Sequence, residues 1–443
     1  MPTALVPGEI QDLQLLPQQT GYYLGAVAPT TLLLSSVRQQ QLGSAYRQQY
    51  FAVWDQAAGA PSAAEAFWAL PHYGSRQVYG ENLLPLPQSW LAELADACDQ
   101  QCYPRLHKPA ITVLTAALRL LPRHRPVFAD PAMPGNGFPF DLLQNSLVAA
   151  GTPILVVHAT TDCSWFLVKT AHNICGWLRP WEFAWVDADF IAAYQSAPLL
   201  AVVADDVSVS TGAGDFVFAS RIGMLLPQAV ALSAAALPSG MQQHTAVLVA
   251  QRAADGSAVI STAMIAAAAI MPWPMPATVA NFSAVLDALL GQCYGWGGLY
   301  ENRDCSALMQ DVFALLAITL PRNSSEQAQA GVQQISLDNL DRAVKQQMIL
   351  EHGIALLTLI NLPGHVMLYL GRDPQSAQPV VLHSIWGLRC QPLPAAATPP
   401  VLTGRWILGR AVITSLTPGA ELAPLIDPQQ LLCERVNSMT LLR

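Results

Sequence analysis

Hydrophobic and polar positions change rhythm twice along this chain. From residue 1 to about 108 the spacing is helical, with Gln- and Ala-rich segments at Ser35 to Ala57 and Ser89 to Cys102. Pro71-His72-Tyr73-Gly74 reads as a turn between them and Leu84-Pro85-Leu86-Pro87 as a break. From Ile111 the pattern shortens to strand-sized runs: Ile111 to Leu120, Pro153 to His158, Trp165 to Lys169 and Cys175 to Leu178, with a proline- and glycine-rich loop at 131–139. Short strands so closely spaced predict a small barrel. The theme repeats over about 198–271, in Ala201-Val202-Val203, Val207-Ser208-Val209, Val217-Phe218-Ala219 and Ala246-Val247-Leu248-Val249. Thr211-Gly212-Ala213-Gly214-Asp215 reads as a hairpin turn, because no Lys-Ser/Thr follows to make it a phosphate loop. Met271-Pro272-Trp273-Pro274-Met275-Pro276 reads as a stiff linker.

The last third mixes the two rhythms. Leu308, Val312, Leu315 and Leu316 recur at helical spacing, whereas His365 to Leu370 and Val380 to Ser384 read as strands. The chain is therefore expected to be a multidomain α+β protein: a mainly helical region at 1–108, barrels at 109–195 and 196–275, and an α+β domain at 276–443.

Composition narrows the functional classes. The 443 residues are 52% apolar and 12% charged, which excludes disorder, and a net charge of −8 offers no basic footprint for nucleic acid or an anionic membrane surface. Eight cysteines are scattered without a C-x-x-C pair, so neither a zinc nor a haem site is implied. Cys98 with Cys102, or Cys163 with Cys175, could bridge in an oxidising compartment, and reduced thiols explain them equally well. Residues 1–20 lack a basic segment and an apolar core and carry Glu9 and Asp12, so no leader is expected there. The most apolar run, Ala258 to Met271, is too short to span a bilayer.

Chemistry concentrates in Tyr294 to Ala307, Tyr-Gly-Trp-Gly-Gly-Leu-Tyr-Glu-Asn-Arg-Asp-Cys-Ser-Ala. This glycine-rich turn runs into a helix, which puts Cys305 at a helix N-terminus, where free N–H groups and the positive dipole end favour the nucleophilic thiolate. A cysteine nucleophile needs a base, and His365 opens the strand Gly-His-Val-Met-Leu-Tyr-Leu-Gly. His383, on the next strand, would orient that base if the two strands pair antiparallel.

Together these motifs resemble the NlpC-type papain-like cysteine peptidases of bacterial cell walls, which use a Cys-His-His triad. Three motifs in the same order carry the resemblance over roughly the last third of the chain. It implies that Cys305 is the nucleophile, His365 the base, His383 its orienting partner and Tyr294 the aromatic residue that helps hold the oxyanion. Ala307 stands where that family usually has Gly. Upstream, Pro139 to Ser146, Asp162-Cys163-Ser164-Trp165 and Gly176-Trp177-Leu178 resemble the bacterial SH3-like domains that precede such peptidases.

The resemblance implies hydrolysis of the γ-D-glutamyl to diamino-acid bond of peptidoglycan stem peptides, in wall turnover or murein-peptide recycling, without metal or cofactor. Asp304, Ser306, Asn323, Ser324 and Trp296 are the expected substrate-binding residues. Where murein-recycling members carry Asp-Ser to bind a free α-amine, this chain has Asn323-Ser324, and Asp141 or Asp162 of the first barrel would have to supply the charge. Two other classes remain open: a wall-peptide-binding scaffold with an occluded peptidase domain, and a papain-like amidase or acyltransferase. A monomer is expected, in the bacterial envelope or periplasm if a leader has been removed and otherwise in the cytoplasm.

Overall fold

A computed structural model describes residues 9–25, 27–87, 89–133, 135–229, 243–390, 404–423 and 425–443. Residues 1–8, on which part of the leader reading falls, lie outside the described residues. The N-terminal region holds α1 (Gln11–Leu15), α2 (Ser36–Phe51), α3 (Ala63–Ala66), α4 (Ala69–Gly74) and α5 (Ser89–Cys98). Ser35 caps α2 by accepting the Arg38 N–H at 3.2 Å, and Ser62 with Glu65 forms a capping box on α3. The expected turn at Pro71 is helix instead. Pro71 falls in the first turn of α4, where its missing N–H would have had no partner anyway.

The region divides its packing between two neighbours. Asp12 accepts the Ser415 N–H and hydroxyl at 2.7 and 2.8 Å, and the Thr20 N–H reaches Asp287 at 2.7 Å, so the first residues lie on the C-terminal domain. The later helices bury Phe51, Trp54, Phe67, Leu70 and Trp90 with first-barrel residues such as Ile111 and Trp177. The Trp54 indole donates to the Ala110 carbonyl at 2.8 Å, satisfying the one polar atom this burial would otherwise strand.

The first barrel comprises β1 (Lys108–Thr112), β2 (Ala116–Arg119), β3 (Gln144–Val148), β4 (Pro153–Ala159), β5 (Phe166–Thr170), β6 (Cys175–Leu178) and β7 (Phe183–Trp185), ordered β3-β2-β6-β5-β4-β1-β7. The run Ile111 to Leu120 is not one strand. It turns between Thr112 and Ala116 so that β1 pairs β4 while β2 pairs β3. After α6 (Ala188–Ser196) come β8 (Leu199–Val202), β9 (Ser208–Thr211), β10 (Phe216–Ala219), β11 (Leu225–Pro227), β12 (His244–Arg252), β13 (Ala258–Ala266) and β14 (Ile270–Pro272). Their two sheets, β10-β9-β13-β12 and β11-β8-β14, close over Val202, Val209, Phe218, Leu226, Val247 and Ile265. The expected stiff linker at Met271 to Pro276 is built into the core. Its first residues are β14, Trp273 packs edge-on against Tyr46 at 5.3 Å, and Met275 is fully buried, because apolar side chains so dense in a connection gain more from burial than from water.

The C-terminal domain contains α7 (Val279–Leu289), α8 (Cys305–Leu315), α9 (Ser324–Gln327), β15 (Gln333–Ser336), α10 (Arg342–His352), β16 (Thr358–Leu362), β17 (His365–Arg372), β18 (Pro379–Arg389), β19 (Arg405–Ser415), α11 (Leu432–Arg435) and β20 (Ser438–Leu441). Its antiparallel sheet runs β15-β20-β16-β17-β18-β19. Leu308, Val312 and Leu315 press α8 onto this sheet, fully buried beside Leu368 and Leu382, each worth about 1.5–3 kcal/mol of burial. The helix that starts at Cys305 therefore has little freedom to move relative to the histidine strands.

Candidate active site

The loop before α8 has an unusual backbone. Gly297 and Gly298 take φ of +59° and +87°, and a side chain on Gly298 would meet the Leu147 Cβ at 2.5 Å. Only glycine fits there, because the loop lies directly on β3 of the first barrel. Gln144 donates to the Gly297 carbonyl at 2.9 Å, and the Trp296 indole donates to the Asp141 carbonyl at 3.1 Å.

Asp304 caps α8. Its carboxylate accepts the Ala307 N–H at 2.8 Å, the Ser306 hydroxyl at 3.1 Å and the Gly297 N–H at 3.0 Å, and it holds the Arg322 guanidinium at 2.6 and 3.0 Å. Burial raises the Asp304 pKa, but Arg322 and these N–H and O–H donors outweigh it and leave the carboxyl below its ordinary range. Arg322 in turn donates to Ser306 and Ser146, each at 2.9 Å.

These contacts correct the assignment of Asp304 and Ser306 as substrate-binding residues. Both are buried and their polar atoms are committed to the cap and to Arg322, so they position the nucleophile. Asn323 and Ser324 begin α9, with the Asn323 amide 3.5 Å from Glu326, and neither lines the cavity onto which His365 opens. Asp141 is bound by Arg119 at 2.6 Å and accepts the Val127 and Leu143 N–H groups, so its charge is already matched. Asp162 closes a turn with Thr160 and Ser164. Of the expected substrate-binding residues, Trp296 does line the cavity.

Cys305 is the first residue of α8 and is 6% exposed. The dipole argument for a resting thiolate does not hold at this site. Burial, followed by the nearby Asp304 carboxylate, pushes the thiol up to about 12, against the smaller opposing effects of the Val366 and Ser306 N–H groups and Arg322. A partial charge at a helix end cannot offset the loss of water around a whole one.

His365 follows the β16–β17 turn, and the Val366 N–H beside it faces the Cys305 sulfur. Burial, then Arg435, lowers its imidazole to about 4. His365 Nε2 lies 2.7 Å from His383 Nδ1, and His383 Nε2 lies 3.1 Å from the Thr414 hydroxyl, which donates to the Ser415 carbonyl at 2.8 Å. These contacts fix the tautomers in turn. Thr414 has committed its proton, so it accepts from His383 Nε2–H. That leaves His383 Nδ1 to accept from His365 Nε2–H, and His365 Nδ1 carries the free lone pair. Thr414 was not legible in the sequence: only the β18–β19 register, which pairs His383 with Val412, brings it within reach.

In front of the site is a cavity of about 360 Å³. Tyr294, Trp296, Phe140 and Trp386 form one wall, and His365 opens onto it. Burial and the nearby Asp304 and Cys305 raise the Tyr294 phenol well above its ordinary value, so its hydroxyl keeps the proton it would donate.

A thiol at a helix start, a strand histidine oriented by a second histidine and a cavity onto which the first histidine opens make up the arrangement of a papain-like cysteine peptidase. Four family models match along the chain: the NLPC_P60 stabilising domain, N term, at residues 1–103; an SH3 domain of SH3b1 type at 126–179; an SH3 domain of SH3b2 type at 187–228; and the NlpC/P60 family at 291–379. The chain is a member of the NlpC/P60 cysteine peptidase family, with a helical N-terminal stabilising domain and two SH3b domains. A solved NlpC/P60 endopeptidase from Photobacterium damselae subsp. piscicida superposes with a TM-score of 0.82 at 22% identity, covering 96% of each chain, so the two share their fold from end to end. An NlpC/P60 family protein from Bacillus cereus superposes with a TM-score of 0.47 at 15% identity, over 74% of this chain and 98% of that one. No curated protein matches the chain. His383 and Thr414 lie beyond the segment matched to the NlpC/P60 family, and their place in the site rests on geometry.

Proposed function

We propose that this chain is a cysteine endopeptidase that hydrolyses the bond between the γ-carboxyl of D-glutamate and the diamino acid, meso-diaminopimelate or L-lysine, in peptidoglycan stem peptides. The observation that carries this reading is the hydrogen-bonded series Thr414, His383, His365, which ends at the cavity wall next to Val366, whose N–H faces the Cys305 sulfur. Family membership supports a peptidoglycan peptide as substrate. The work lies in the bacterial envelope or, for recycled peptides, in the cytoplasm. Among the described residues no helix is long and apolar enough to cross a membrane.

At rest the thiol and the imidazole are both neutral. As the γ-carbonyl carbon meets the sulfur, His365 Nδ1 takes the thiol proton and the carbonyl electron pair moves onto oxygen. That oxyanion is held by the Cys305 N–H, free of intrahelical partners at the first position of α8, and by the Tyr294 hydroxyl. Collapse expels the diamino acid, whose amine takes the proton from His365. Water then attacks the thioester, giving up a proton to His365 that passes to the departing thiolate.

The test is mass spectrometry of L-Ala-γ-D-Glu-meso-diaminopimelate and its N-acylated form, incubated with the wild-type chain and with Cys305→Ala. Release of the glutamyl fragment by the wild type alone is expected. Asn323 brings no carboxylate to a free α-amine, and Asp141 and Asp162 are committed to Arg119 and to a turn, so both peptides should be cut within about tenfold of each other. Release by Cys305→Ala would rule out the mechanism, cleavage of neither peptide would favour a binding protein with an occluded site, and a new acyl adduct would favour a transferase.

A further inference from the structure

The same cavity is lined by three arginines, Arg389, Arg405 and Arg435, and among the described residues none that lines it is acidic. Arg389 ends β18 and Arg405 begins β19, and the two are direct cross-strand partners. Like charges placed opposite one another in an antiparallel pair oppose folding. Arg435 joins them from the last turn of α11. Among the described residues none of the three makes a salt bridge, and the residues outside that set include no Asp or Glu.

Arg405 is held in place without being neutralised. It donates one long bond, 3.4 Å, to the Gly387 carbonyl, lies over the Phe140 ring at 5.4 Å, and keeps a buried Nε with no partner. Burial, then repulsion from Arg389, lowers both Arg405 and Arg435 from the ordinary arginine value. Three uncompensated cations in one recess of a chain with net charge −8 mark a place where an anion belongs.

We propose that Arg389, Arg405 and Arg435 form a carboxylate-binding subsite for the diamino acid on the leaving side of the scissile bond, and that it selects diaminopimelate over lysine. This rests on the endopeptidase reading and adds the choice of residue. His365, which protonates the leaving amine, opens into the same cavity, so the leaving residue occupies it. Diaminopimelate differs from lysine by one carboxylate at the far end of its side chain. A planar guanidinium fork meets that group with two parallel N–H···O bonds. Both residues carry an ammonium at that end, but lysine would bring it to the arginines without the carboxylate that pairs with them, so the subsite favours diaminopimelate and repels lysine.

The experiment compares kcat/KM of the full-length wild type, Arg389→Gln and Arg435→Gln on L-Ala-γ-D-Glu-X, where X is meso-diaminopimelate, its side-chain amide or L-lysine. A fourth peptide carries D-isoglutamine in place of D-glutamate. Wild type should prefer diaminopimelate by at least roughly tenfold, the side-chain amide should behave like lysine, and each variant should lose activity on diaminopimelate alone. Arg389 is exposed, so its variant should keep the wild-type melting temperature, and Arg405→Lys offers a charge-conserving check at the half-buried position. Equal wild-type activity on diaminopimelate and lysine would overturn the subsite and leave the endopeptidase reading standing. An effect carried by D-isoglutamine instead of the diaminopimelate amide would move the arginines to the glutamyl carboxylate and overturn the proposal. Failure of the wild type to cut any peptide would overturn both readings.

Discussion

Arginines behind the nucleophile and arginines in front of it make opposite use of the same side chain. Behind Cys305, Arg303 binds Asp205 at 2.6 Å and Asp311 at 2.7 Å, Arg221 binds Asp311 at 2.9 Å, and Arg322 binds Asp304 at 2.6 Å. Asp205 and Arg221 belong to the second barrel, and Ser146, which takes another bond from Arg322, to the first. These ion pairs and the Ser146 hydrogen bond bring both barrels against the catalytic loop. In front, Arg389, Arg405 and Arg435 have no acid among them and face a cavity. A buried charge given its partner by the fold is structural, whereas one left without a partner at an open cavity is available to a ligand.

The contrast breaks first at Asp304. Replacing it with Asn strands the buried Arg322 guanidinium and should cost about 3–5 kcal/mol, against about 0.5 kcal/mol or less for Arg389→Gln. Denaturant unfolding of the two variants measures both, and equal losses would erase the distinction. Gly298→Ala comes next. With φ at +87° and Leu147 in the way, it should cost about 1–3 kcal/mol and lower kcat by loosening the loop from the first barrel, whereas Gly364→Ala, with open space around it, should meet only the backbone strain.

Titration tests the front side. The His365 and His383 values lie below that of an unfolded histidine, so the unfolded chain binds more protons as pH falls through 6.5. Stability should therefore drop from pH 6.5 towards 4, and the acidic limb of kcat/KM should fall nearer 4 than 6.5. Thermal melts and a pH–rate profile check each, and an acidic limb at 6.5 would mean that His365 is open to water. The smallest effect belongs to Thr414→Val, which removes the acceptor for His383 Nε2–H and should lower kcat roughly tenfold with little change in KM. A loss confined to KM would show that Thr414 does not orient the histidines.

The four-part organisation, the helix start at Cys305 and the two histidine strands were all legible along the chain, because each depends on neighbours a few residues away: a glycine turn, apolar residues at helical spacing, a run of β-branched and aromatic residues. Pro71 and the Met271 to Pro276 stretch misled for a related reason. Proline marks a break only where the backbone N–H is needed, and a connection is exposed only where nothing packs over it.

What the chain determined by itself was which residues can do chemistry and on which elements they stand, since helix starts and strand rhythm follow from local sterics and capping. Tertiary structure alone decided their state and their company. Cys305 is a thiol because burial outweighs the helix dipole, Asp304 and Ser306 are structural because Arg322 folds onto them, and Thr414 joins the histidines through the pairing of β18 with β19. Arg389, Arg405 and Arg435 meet the same way, across strands and a helix brought to one cavity. Desolvation and charge pairing depend on everything within a few ångströms, and most of those neighbours are distant in sequence.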